Sequence, residues 1–130
     1  MVKVYVKGSR PNRLWGYDLE HPKYRELGIE IEKKLRDLGC TDVYTVVDLG
    51  TDTLAAEIAL KMGLKLHIVL GYKDKELVWN NKEKAELYSL IEKADEIIRL
   101  SNEEYNNDLV IAENRWLVDN CNTGIFVVNS

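Results

Sequence analysis

The feature that most constrains this chain is an alternation. Five short apolar, β-branched runs are separated by four stretches whose apolar residues recur at helical spacing. Val2 to Lys7 stops at Gly8 and reads as the first strand, and Val43 to Val47, Leu64 to Leu70, Glu96 to Leu100 and Ile125 to Val128 read as the others. Between them, Leu27, Ile31, Leu35 and Leu38 put one buried stripe on a helix from Lys23 to Leu38, with Pro22 in its first turn and Gly39 closing it. Leu54, Ala55, Ile58, Ala59 and Met62 mark a compact helix that ends at Gly63. Leu87, Ile91 and Ala94 line a helix over Lys84 to Lys93, and Val110, Ile111, Leu117, Val118 and Cys121 carry the last one. The polar stretch from Tyr72 to Trp79 reads as a surface loop.

A chain that alternates in this way folds as α/β, a parallel sheet covered by helices on both faces. The expected architecture is a Rossmann-like three-layer sandwich with a five-stranded parallel sheet in the order 3-2-1-4-5. Its topological switch point would fall between the first and fourth strands, and a ligand is expected in that crevice. At 130 residues the length suits a single domain over 1–130.

Composition narrows the function classes. Hydrophobic residues at 45% and charged residues at 31% are the balance of a soluble globular protein, and no apolar run approaches the roughly 20 residues of a membrane helix. Met1 to Lys7 alternates apolar and charged residues without the apolar core of a secretory leader, so a cytoplasmic location is expected. A net charge of -4 argues against a broad nucleic-acid footprint, which needs many Lys or Arg contacts to phosphate. The two cysteines, Cys40 and Cys121, lack metal-ligand or disulfide spacing and read as small buried hydrophobes. No metal and no cofactor is expected, and a homo-oligomer is left open.

The residues able to carry chemistry cluster where strands end. Gly8, Ser9 and Arg10 follow the first strand directly, so their backbone amides and a guanidinium would stand at the mouth of the crevice, ready for an anionic group. Asp48, Gly50, Thr51 and Asp52 lie where the second strand passes into its helix, where Gly50 admits close backbone approach and the helix start offers unpaired amides. Thr51 or Asp52 would equally serve as a helix cap. Neither a Gly-x-Gly-x-x-Gly fingerprint nor a Walker loop is present, which removes the dinucleotide dehydrogenase and P-loop readings. Asn114 stands four residues from both Val110 and Val118, and its amide is therefore expected to point inward. Trp15, Trp79 and Trp116 read as core or pocket wall, and His67, inside an apolar strand, as structural.

Taken together, Gly8-Ser9-Arg10-Pro11 with Leu14-Trp15-Gly16-Tyr17-Asp18, Leu49-Gly50-Thr51-Asp52 with Ala55-Ala56-Glu57, Trp79, the Tyr88 to Asp95 helix end and Asn114 to Asp119 resemble the YpsA-like branch of the SLOG superfamily. These are Rossmann-like proteins related to DprA and the LOG phosphoribohydrolases. The resemblance implies a nucleotide-related ligand held by the loops after the first, second and fourth strands and by the last helix, in a sensor or binder. Three positions depart from that pattern: Ser9 stands for a common His, Asp48 for a glycine, and Glu113 for an Arg. The last two add negative charge beside the implied anion site, so the ligand is expected to differ from the usual one. The Pro-Gly-Gly-x-Gly-Thr-x-x-Glu motif of the LOG hydrolases is absent.

The leading expectation is a domain that binds a nucleotide or nucleotide-derived small molecule, as sensor or sequestering protein, through Gly8, Ser9, Arg10, Asp48, Gly50, Thr51, Asp52 and Asn114. The rival from another class is an N-glycosidic hydrolase in which Asp48, Asp52 or Glu113 stabilises an oxocarbenium-like centre or activates water. A third reading is a decoy that sequesters signalling nucleotides in phage or bacterial defence.

Overall fold

The computed structural model of the chain describes residues 1–8, 21–46, 51–71, 73, 81–104 and 106–127. Strands and helices alternate throughout: β1 (Lys3–Gly8), α1 (Pro22–Asp37), β2 (Asp42–Thr45), α2 (Thr51–Lys61), β3 (Lys65–Leu70), α3 (Asn81–Lys93), β4 (Glu96–Arg99), α4 (Asn107–Asn120) and β5 (Thr123–Val127).

Two of the helices end on the same device. Gly39 (φ 64°) and Gly63 (φ 73°) occupy the left-handed region that a side chain disfavours. Behind each, a pair of reverse bonds closes a Schellman cap: Gly39 N to Arg36 O with Cys40 N to Leu35 O, and Gly63 N to Leu60 O with Leu64 N to Ala59 O. Each cap turns the chain directly into the next strand. At its other end α1 starts with Pro22 behind His21, whose Nδ1 accepts from the Lys23 amide.

The five strands form one parallel sheet with helices on both faces, as expected, in the order β4-β3-β2-β1-β5. The run 3-2-1 stands, but the expected order 3-2-1-4-5 does not. β4 continues outward beside β3, and β5 takes the place next to β1 that the expectation gave to β4. The physical reason is the short turn after α3, which delivers β4 straight onto the open edge of β3: Asp95 N bonds Leu66 O and its carboxylate accepts from Leu66 N. The chain then reverses direction across the sheet only once, through α4, and the switch point falls between β1 and β5.

Right-handed crossovers place α1, α2 and α3 on one face and α4 on the other. Val4, Val6, Val43, Leu66 and Ile68 pack beneath the first three with Ile31, Leu35, Ala55, Ala59 and Leu87. Tyr5, Tyr44, Val46 and Val69 pack against Leu117 of α4. Adjacent strand residues are thus buried on opposite faces, which explains the consecutive buried residues Val4-Tyr5-Val6 of β1 and Ile68-Val69-Leu70 of β3. α4 is rotated from its expected orientation. Glu113 and Leu117 are buried and Val110 is half-buried, whereas Ile111 and Val118 are 57% and 59% exposed, so the inward line does not include Val118.

Candidate functional site

The site expected from sequence lies at the carboxyl edge of the sheet, and the structure brings several of its members there. Gly8 is the last residue of β1, and a Cβ on it would come within 2.7 Å of Thr51 Oγ1 and of the Val127 Cβ. The glycine therefore lets the first turn of α2 close on the carboxyl ends of both β1 and β5, the two strands that flank the switch point. Thr51, Asp52 and Thr53 are helical residues of that first turn and are buried. The Thr45 hydroxyl, at the end of β2, donates to the Asp52 carbonyl at 3.3 Å and secures the same turn. Asp52 is 1% exposed, a carboxylate at the positive end of a helix dipole. Ser9, Arg10, Asp48 and Gly50 lie outside the described residues, as do Trp15 and Trp79.

From the opposite face α4 reaches the same edge. Glu113, 2% exposed, accepts a hydrogen bond from the backbone amide of Gly71 at 2.9 Å, just past the end of β3. A Cβ on Gly71 would collide with the Glu113 side chain, so the glycine creates the slot that the carboxylate fills. The hydrolase reading of Glu113 thereby meets a competing role, a brace between α4 and a strand end. The Gly71–Glu113 pair escaped sequence reasoning, although a glycine closing the third strand as Gly8 closes the first was a usable signal.

Asn114, the next residue, is half-buried, and its Oδ1 is buried with no hydrogen-bond partner among the described residues. It lies a helical turn from Val110 as expected, but on the flank of the inward line rather than on it. Buried amide oxygens usually meet a donor, which sets this atom apart from the rest of α4. Trp116, on the same helix, leans on Tyr44 at 5.8 Å between ring centroids and serves as core wall.

At the other end of the strands His67 is bracketed by carboxylates, Asp42 on β2 and Glu96 on β4. Burial alone would raise the Asp42 carboxyl, but hydrogen bonds from the Thr41 hydroxyl and the His67 ring, with the charges of His67 and Lys65, hold it below its ordinary range. Burial raises both thiols, Cys40 and, to about 11, Cys121.

The geometry defines a Rossmann-like α/β protein whose strand ends and helix start converge at a switch point. The family described as YspA SLOG matches residues 4–130, and the chain belongs to it. No curated protein matches the chain. Among the described residues no helix is long and apolar enough to cross a membrane.

Proposed function

We propose that this protein binds a nucleotide or nucleotide-derived small molecule at the carboxyl ends of its strands, between β1 and β5, as a sensor or sequestering protein. The observation that carries the reading is the Asn114 oxygen, buried and without a donor among the described residues, one residue from the brace that holds this turn of α4 against a strand end. A ligand hydroxyl or amino group would complete it. Gly8, Thr51 and Asp52, at the same edge of the sheet, would contribute from the other face, with Ser9, Arg10, Asp48 and Gly50 as the further members assigned from sequence. The carboxylates favour a ligand that presents hydroxyls there, as a ribose does, and Arg10 with the α2 amides would take its anionic part. Membership of the SLOG family supports a nucleotide-related ligand.

The test is calorimetric titration with ribonucleotides and cyclic or ADP-ribose-type nucleotides, using wild type and Asn114→Leu. Expected is stoichiometric binding that the variant weakens by about 1–3 kcal/mol while its melting temperature holds or rises. A large stability loss with affinity intact removes Asn114 from the site. Turnover of any nucleotide to base and sugar phosphate would replace the binder with the hydrolase.

A further inference from the structure

Three parallel strands meet in one row of polar side chains at the amino end of the sheet, on the face that α4 covers. His67 of β3 lies with Nε2 2.7 Å from Asp42 Oδ2 of β2 and Nδ1 2.7 Å from Glu96 Oε1 of β4. The Tyr44 ring stacks on the imidazole at 4.2 Å and 4°, and fixes its plane. Ionised carboxylates only accept, and a neutral imidazole has a single N–H to give. Both contacts are therefore hydrogen bonds only while the ring holds two protons.

The two carboxylates are not equivalent. The Asp42 side chain is 4% exposed and also accepts from the Thr41 hydroxyl at 2.7 Å, whereas the Glu96 side chain is 51% exposed. β4 itself is thinly anchored: among the described residues it pairs only with β3, and Glu96, Ile97 and Arg99 are exposed. Among the described residues, the charged and titratable groups in contact with His67 are Asp42 and Tyr44 from β2 and Glu96 from β4. Lys65 acts on Asp42, Lys3 of β1 stands 5.9 Å from the Tyr44 ring, and Cys121 follows α4.

We propose that His67 is a proton-controlled latch on the edge strand β4. With both ring nitrogens protonated it ties β4 to β2 across β3. On giving one proton to water it keeps its bond to buried Asp42 and releases Glu96 to solvent. The strand so loosened leads into Asn106, whose side chain caps α4 by accepting from the Leu109 amide. The latch thus stands one connection upstream of the helix that carries Glu113 and Asn114.

Two measurements test it on the intact protein. Amide hydrogen-exchange protection of β4 and Leu100, referred to that of β1, should fall about tenfold between about pH 5.5 and about pH 8.5 in wild type. It should stay level in Glu96→Gln, whose amide can accept from or donate to a neutral ring. Equal falls in both proteins overturn the latch. The ring-nitrogen NMR spectrum of wild type decides independently of any variant. Two protonated nitrogens at the acid end, with the Nδ1 proton lost first, support the proposal. A single neutral tautomer throughout, or prior loss of the Nε2 proton, overturns it.

Discussion

At the residue scale, the carboxyl edge depends on glycines that serve by leaving room. Gly71→Ala should evict the Glu113 carboxylate from the Gly71 amide and cost about 2–4 kcal/mol of stability, read from the urea midpoint. Glu113→Gln, which retains an acceptor of the same shape, should cost less than half of that. The thiols give a second prediction. Cys40 is buried, and burial raises Cys121 to about 11, so both should react with an aromatic disulfide reagent at pH 8 far more slowly than in urea. Fast labelling of the native protein would refute that environment. Single residues were also where sequence reading was least complete. Gly8 stands out by its place after a strand and Asn114 by helical spacing, although one of the two neighbours that set that spacing, Val118, is exposed. The Gly71–Glu113 contact joins residues 42 apart in the chain, so the glycine after the third strand marks one partner locally but does not name the other.

At the level of elements, strands and helices were legible because their signals are local: apolar period, Pro22 at a helix start, Gly39 and Gly63 at helix ends. Strand order was not, because it depends on which sheet edge a crossover reaches. The structure places β4 on β3 through the Asp95 bonds to Leu66, and leaves β1 to β5. The Asp42 carboxyl ties β2 to β3 and yields a pH prediction. Its folded value is depressed, so its contribution to stability is complete above the ordinary carboxylate range, beyond about pH 5, and is lost as pH falls through the depressed value. Asp42→Asn should cost about 1–3 kcal/mol near neutrality and flatten the acid limb of a plot of melting temperature against pH. An unchanged acid limb would show that other carboxylates govern it.

For the molecule as a whole, ligand binding and folding draw on the same strand ends. A nucleotide present at about 100 times its Kd should add about 2.7 kcal/mol, which for a chain of this size raises the melting temperature by several degrees. A nucleotide panel that leaves it unmoved would count against the proposed function. The order of the strands has a further consequence, in time rather than in space. β1 is made first, yet its outer neighbour is β5, and the bond from Lys3 N to Asn122 Oδ1 spans 119 residues. During synthesis β2, β3 and β4 can add one after another to a growing sheet, while the β5 side of β1 remains an unpaired edge until residue 127 has left the ribosome. Such an edge is a template for pairing with any extended chain nearby, so the nascent protein is most exposed to misassembly on the flank where the proposed ligand would later bind.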